Sequence, residues 1–402
     1  MISLELINYS LKNLWKSRGR SFLTILSIFV GITTIFIFVS FGWGLYDYTN
    51  SFTTGSSVDK VVIQSKGITA PGLDTTFKLT DKDINAIEKT AGVYEASGAY
   101  LKAVQVTQKD KLVYTFMISY DPSSPIIMQL YDINVEEGRF LRPGEKNSVM
   151  LGYNYLLSDK IFKEPYVLGD RIDIDGRNLK IIGFLGAVGN PQDDSQIYIT
   201  NAFAEDIYGK DNISYGMIVA RVDINDIKET ITRIEKNLRK ERNLKVGQED
   251  FYVQSFEDLI ASFQTALSVI IAFVVLIAFI SIIVSAVNTA NTMVTSVLER
   301  IKEIGIMKSV GATNSEIFKI FLFESAFLGF VAGVLGILLG WLVSYTAGVI
   351  LKSLGWGFLS PHFSIVLFAG CVAFATLTGA VSGAWPAWQA TKIKPVEALR
   401  YE

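Results

Sequence analysis

Few residues in this 402-residue chain are of the types that catalysis needs. One histidine, His362, and one cysteine, Cys371, exclude a multi-histidine metal site and an intrachain disulfide. Acidic groups remain. Asp193 and Asp194 are adjacent, and Asp170, Asp173 and Asp175 fall in one strand-like stretch. Carboxylates can ligate a hard cation, but two adjacent acids in a loop ordinarily mark a solvated turn, and acids along a strand a wet face. His-Glu-x-x-His, Gly-x-Ser-x-Gly and the phosphate-cradling Gly-x4-Gly-Lys-[Ser/Thr] are all missing from the sequence. The expectation is no catalytic, cofactor or metal site, which makes an enzyme acting through residues 46–258 the weakest reading.

Two other features carry information. Glu324 is the one charge in the apolar run Ile320–Leu351. An acid there is a functional candidate, or, one turn inside the end of its run, it reaches water or pairs with a basic flank. The second feature is the segment ERIKEIGIMKSVGAT, Glu299–Thr313. Val297, Ile301 and Ile304 share one helical face with Met307 near it, and Glu299, Arg300, Lys302 and Glu303 supply charge around the rest. Gly311 fits a helix stop, and Thr313-x-x-Glu316 fits a capping box that restarts a helix. The pattern describes a short amphipathic helix, either a surface connector or an element that docks on a partner.

The elements that position these residues are long apolar runs. A helix needs about 20 mostly apolar residues to cross a bilayer. Ser21–Leu45, Leu259–Leu298, Ile320–Leu351 and Leu354–Thr391 qualify. The first run exceeds a signal-peptide core and lacks a clean small-x-small cleavage pattern, so a retained span is expected. Lys12, Lys16, Arg18 and Arg20 precede it, Arg300, Lys302, Lys308 and Lys319 lie between the second and third runs, and Lys392, Lys394 and Arg400 follow the fourth. By the positive-inside rule both termini and the middle loop face the cytoplasm, and residues 46–258 face outward.

The expected partition follows. Residues 1–20 form a cytoplasmic amphipathic helix, with Leu4, Ile7, Leu11, Leu14 and Trp15 on one face, which anchors the first span at the lipid surface or also meets a partner. Residues 21–45 are the first span, 46–258 an extracytoplasmic α/β domain, and 259–298 the second span with a stalk. Residues 299–319 are a cytoplasmic loop, 320–351 the third span, 352–362 a short external loop, 363–391 the fourth span and 392–402 a cytoplasmic tail.

Of 37 Lys/Arg and 39 Asp/Glu, twelve and seven lie outside 46–258, which leaves the outer domain at about −7 and excludes nucleic acid as its partner. Strands are expected at 58–64, 100–107, 111–119, 170–175, 178–184, 197–200, 215–222 and 250–254, with helices at 80–90 and 224–242. Strand–helix–strand–strand recurs at both ends of the domain. That suggests two subdomains, one built from both flanks and one inserted over about 121–212.

In the spans, Gly329, Gly333, Gly336 and Gly340 line one face, and Gly379 and Gly383 repeat the spacing. Such glycines let helices approach closely, within one chain or between two copies.

These pieces resemble the MacB/FtsX-like permeases of ABC systems. LKNLWKSRGRSFLTILSIFVGI is similar to that family's opening segment, ERIKEIGIMKSVGAT to its cytoplasmic signature and PAWQATKIKPVEALRYE to its closing one. EEGRFLRPGE and GDRIDIDGRNLKIIGFL resemble recurring pieces of its outer domain. The resemblance implies a four-span α-helical membrane protein of the cell membrane, with a two-subdomain extracytoplasmic α/β domain between spans one and two. It further implies a homodimer among membrane lipids, with an extracytoplasmic substrate or adaptor. ATP would be bound by a separate cytoplasmic ABC ATPase rather than by this chain. The residues implied to couple to that ATPase are Glu299, Arg300, Glu303, Ile304, Gly305, Met307, Lys308, Val310 and Gly311. Export or extraction of a substrate is the expected role. Its alternative is a transmembrane relay that controls an outer-surface hydrolase or sensor without transport.

Overall fold

The computed structural model describes residues 18–51, 57–66 and 78–400. The amphipathic helix expected over 3–17 lies outside them. Helix α1 spans Arg18–Ser51. There follow β1 (Lys60–Ser65), α2 (Asp81–Glu88), β2 (Val93–Gln108), β3 (Lys111–Tyr120), α3 (Ile126–Leu130), β4 (Val135–Gly138) and β5 (Ser148–Leu151). Next come β6 (Arg171–Ile174), β7 (Arg177–Leu185), β8 (Ile197–Thr200), α4 (Asn201–Tyr208), β9 (Tyr215–Val222), α5 (Ile227–Glu241) and β10 (Phe251–Ser255). The chain ends in α6 (Phe256–Glu299), α7 (Ile301–Ser309), α8 (Asn314–Ser353), α9 (Ile365–Thr391) and α10 (Pro395–Arg400).

Two compact units result. One holds the described residues up to Leu45 with Ala266–Ile350 and those from Leu359 onward; the other, the head, holds Tyr46–Thr265 with Leu351–Phe358.

The head is built on a sheet in the order β10-β1-β9-β2-β3-β8-β5-β7-β4, with β6 pairing β2 and β7. Strand β2 joins its two halves. Residues 93–100 pair antiparallel with β9, and residues 101–108 pair antiparallel with β3. The flank-built half is thus β10, β1, β9 and the start of β2. The inserted half begins near Leu101 rather than near 121, because β3 pairs with the parallel strand β8 instead of returning to the flanks. Both faces of the sheet are covered. Val61, Ile63, Ile218 and Ala220 pack into one core with Ile87 of α2 and Ile234 and Leu238 of α5. Val62 and Val219, one residue out of phase, join a second core with Ile126, Met150 and Phe256. Burial on both faces explains why residues 217–220 of β9 are all apolar.

Local chemistry sets the boundaries. Asp83 accepts the Thr80 N–H at 2.7 Å, which caps α2. Its carboxylate also takes two bonds from Arg242, at 2.8 and 3.1 Å, which accounts for its burial. Asp175 and Gly176 both have positive φ, 50° and 77°, and make the two-residue turn between β6 and β7. Asp170, Asp173 and Asp175 accept the N–H groups of Val167, Gly176 and Gln105, so these acids shape turns and strand ends. Residues 224–226 form a separate 3-10 turn ahead of α5.

Among the described residues four helices are long and apolar enough to cross a membrane: Ser21–Asn50, Phe256–Glu299, Asn314–Ser353 and Ile365–Thr391. The first three extend beyond their apolar runs, whereas the fourth begins at Ile365, eleven residues inside its run, where Ser364 caps it, because caps and not hydropathy end a helix. Residues 314–319, expected in the connector, are the first turns of α8. Ile28, Ile32 and Phe36 of α1 pack with Ala332 and Ile337 of α8 and with Leu367, Cys371 and Ala375 of α9. Helix α6 meets α1 through polar contacts: Ser285 Oγ donates to Ser27 O at 2.7 Å, and Asn288 Nδ2 to Ser27 Oγ at 3.0 Å. Pro386 sits inside the last turns of α9, and Pro395 opens α10.

Candidate functional site

Within the segment 299–313 one short helix, α7, lies between two breaks. Arg300 leaves helical geometry at φ −106°, ψ 16°, which separates α7 from α6. At the other end Gly311 takes φ +108°, a conformation that favours glycine. Its N–H bonds to Lys308 O at 3.1 Å and the Ala312 N–H to Met307 O at 2.9 Å. That is the paired closure of a Schellman stop. The Thr313 N–H and hydroxyl then donate to Glu316 at 2.8 and 2.9 Å, and α8 begins.

The nine residues implied as ATPase-coupling do not share one environment. Ile304 and Gly305 are buried. Ile304 packs with Met293, Val297, Ile317, Phe321, Ala387 and Ala390, with Met307 alongside. A Cβ on Gly305 would stand 2.6 Å from the Ala398 Cβ of α10, so glycine lets the two short helices touch. Arg300 bonds Glu303 at 3.1 Å and Glu324 at 3.0 Å. The Lys308 ammonium donates to Thr391 O at 2.6 Å and Ile393 O at 3.0 Å. Glu299, Val310 and Gly311 face outward. Val310 is 85% exposed, and Ile306, one turn earlier, is 53% exposed. Ile306 was not among the residues singled out from the sequence. Its place opposite Ile304 on the helix was the available signal.

The span glycines divide between two neighbours in the same chain. A Cβ on Gly329 would meet Ala375 O at 2.4 Å, and one on Gly333 the Ala375 Cβ at 2.7 Å, both on α9. Gly336 and Gly340 instead face Phe29, Ile32 and Phe36 of α1. Gly379 and Gly383 of α9 lie against Ser325 and Gly329 of α8.

In the head, Asp193 and Asp194 differ from the solvated turn expected. Asp194 is buried. Its two oxygens accept the N–H groups of Val188 at 2.7 Å and Gly189 at 3.0 Å. Asp193 takes bonds from Asn190 and Gln196. Burial pushes both carboxyls above the usual range, with the neighbouring Asp194 charge adding to the effect on Asp193. The loop they shape bonds a distant segment, as Gly189 O accepts the Phe358 N–H at 3.0 Å. Among the described residues no group of three or more His, Cys, Asp or Glu side chains is arranged to hold a metal.

Comparison with known proteins matches both parts of this architecture. Residues 21–236 match the MacB-like periplasmic core domain and residues 275–395 the FtsX-like permease C-terminal family. An uncharacterized ABC transporter permease of Methanocaldococcus jannaschii is 30% identical over 99% of this chain and 98% of its own length. The ABC transporter permease YknZ of Bacillus subtilis is 27% identical over 100% of both chains. The macrolide export ATP-binding/permease protein MacB of Bdellovibrio bacteriovorus is 26% identical over 99% of this chain but only 62% of its own length. Among solved structures, the extracellular domain of YknZ aligns with 48% of this chain and 99% of that domain, at 16% identity and a TM-score of 0.39. Matched along nearly its whole length, this chain is a multi-pass membrane protein that belongs to the MacB- and FtsX-like permeases of ABC transporters.

Proposed function

We propose that this permease couples ATP hydrolysis on a separate cytoplasmic ATPase to movement of its head, for export or extraction of a substrate outside the membrane. The observation that carries the reading is the outward face of α7. Ile306, on a nine-residue helix, and Val310, the residue that caps its C-terminus, are exposed, while the opposite side of the helix, around Ile304, is packed into the chain. An apolar pair presented on an anchored helix suits a groove on a partner. Two relatives are described as single proteins with both ATP-binding and permease parts, and this chain spans 62% and 60% of them. Their names pair a permease with an ATP-binding part, which is the kind of partner this reading calls for.

In this reading both termini and α7 face the cytoplasm, the head faces out, and two copies act together. Helix α6, 44 residues long, reaches about 66 Å at about 1.5 Å per residue, well beyond the roughly 30 Å of hydrocarbon. Its first turn, at Phe256 and Ile260, belongs to a head core, so one helix leads out of the folded head.

The test is co-purification with the cognate ABC ATPase. Ile306→Asp and Val310→Asp should abolish it while the chain still folds. Undiminished binding of both variants would remove the docking role. Labelling of a cysteine placed at exposed Tyr114, by a reagent that cannot cross the membrane, reports the side on which the head lies.

A further inference from the structure

The connector helix is fastened to the third and fourth spans by charge. At its start, the Arg300 guanidinium donates to Glu324 of α8 at 3.0 Å, and the pair is 12% and 3% exposed. The same guanidinium lies 5.1 Å from the Phe321 ring centroid, one turn earlier on α8. Near its end, Lys308 donates to the carbonyls of Thr391 and Ile393, where α9 runs out. A helix C-terminus leaves carbonyls unpaired and carries the negative end of the dipole, so an ammonium suits it. Between the two, Gly305 lies against Ala398.

We infer that Arg300–Glu324 and Lys308 with the Thr391 and Ile393 carbonyls are positioning contacts that carry displacement of α7 into the third and fourth spans. The inference rests on the docking reading and deepens it. Chain continuity links α7 to α6 only through Arg300, which is outside helical geometry and therefore a weak lever. The apolar contacts around Ile304 hold α7 down but tolerate sliding, since dispersion is non-directional. An ion pair shielded from water has a directional, steeply distance-dependent energy and resists a change of register. Stability alone does not call for such a pair, because well-packed apolar residues of similar volume often replace one without loss.

That last point supplies the test. The full chain is reconstituted with its cognate ATPase in lipid nanodiscs, as wild type, as the apolar double variant R300M/E324M and as the charge-swapped R300E/E324R. Two quantities are read: ATPase binding, and the hydrolysis rate that the permease stimulates. The double apolar variant should fold and bind the ATPase as wild type does, while stimulation falls about tenfold, the size of an ordinary coupling between sites. The charge-swapped chain should recover most of the stimulation. Wild-type stimulation in R300M/E324M overturns the inference. Lys308→Met provides an independent variant at the other end, with the same expectation and the same overturning result.

Failure of wild type to bind any ATPase would remove the proposed function instead. The clamp is then decided by amide exchange over residues 301–309 in the full chain. Exchange should be about tenfold faster in Glu324→Gln, and unchanged exchange overturns the clamp.

Discussion

Gly329 of α8 and Gly379 of α9 meet face to face: a Cβ on the first would stand 3.2 Å from the Cα of the second, and the reverse distance is 3.0 Å. Neither side has room. The same added carbons would fall 2.4 Å from Ala375 O and Ser325 O, which are backbone atoms that cannot swing aside. Gly329→Val should therefore drive the third and fourth spans apart. Overpacking of a tight contact costs about 1–3 kcal/mol. The expected result is a lower melting temperature and loss of the monodisperse peak in gel filtration. Gly370→Ala, with nothing within 4 Å of its added carbon, should leave both unchanged. Equal behaviour of the two variants would show that the contact is not limiting.

What was legible in the sequence follows from the range of the physics involved. The spans are encoded by composition over 20 residues, so four apolar runs sufficed to place them. The stop at Gly311 and the restart at Thr313–Glu316 are set within a few residues, and both occur where local rules put them. Features set by distant chain were not legible. Asp194 reads as a wet turn until Gly189 and Phe358, 169 positions apart, are seen to bond. Strands β4 and β5 have only four residues each, too short for a periodic signal. The first half of β2 was missed because Ser97, Gly98 and Ala99 lack β-branched character, although β9 pairs with all of them. Glu324 left three readings open, a functional acid, an acid that reaches water and one that pairs with a basic flank, and only the packing of α7 on α8 selects Arg300 as its partner. The outward aim of Ile306 is likewise fixed by how the other face of α7 packs, and the sequence pattern alone left both faces available.

Asp194 holds a loop, and its removal should loosen that loop together with its distant partner. Asp194→Ala deprives the Val188 and Gly189 N–H groups of their acceptor, at a cost of about 1 kcal/mol, since both are only partly buried and water can take the acceptor's place. Amide exchange should quicken at Val188 and Gly189, and also at Phe358, whose N–H is bonded to Gly189 O. Exchange at Val219, in the centre of the sheet, should not change. Quickening confined to 188–189 would show that Phe358 is held by other contacts.

Gly305 has a different role from the exposed positions near it. Gly305→Leu should displace α10 through the Ala398 contact, which raises amide exchange over 395–400. Ile306→Asp should not, since Ile306 is half exposed. A matching rise in both variants would mean that α7 is loosened as a whole, and the division between its inward and outward faces would have to be given up.

The pH dependence of the head should carry the signature of Glu145. Its carboxylate accepts two bonds from Arg139, at 2.9 and 2.7 Å, the Arg142 N–H at 3.0 Å and the Ser148 hydroxyl at 3.3 Å. The Arg139 bonds, with help from the Arg142 N–H, hold the carboxyl down at about 2 against an ordinary 4.5. A depressed carboxyl binds its proton more weakly in the folded head than in the unfolded chain. Its contribution is therefore complete above about 4.5 and disappears as pH falls toward about 2. Hydrogen bonds to a charged group are worth roughly 1.5–3 kcal/mol, which falls to about 1 kcal/mol here because Arg139 is 40% exposed to solvent. In the full chain in detergent, urea unfolding of the head can be followed by its tyrosine circular dichroism. At pH 6 wild type should outlast Glu145→Gln by that margin. The two curves should converge between pH 4.5 and 2, the window between the two values above. A gap that stays constant down to pH 2 would show that the packing of residue 145, and not its charge, supports this part of the head.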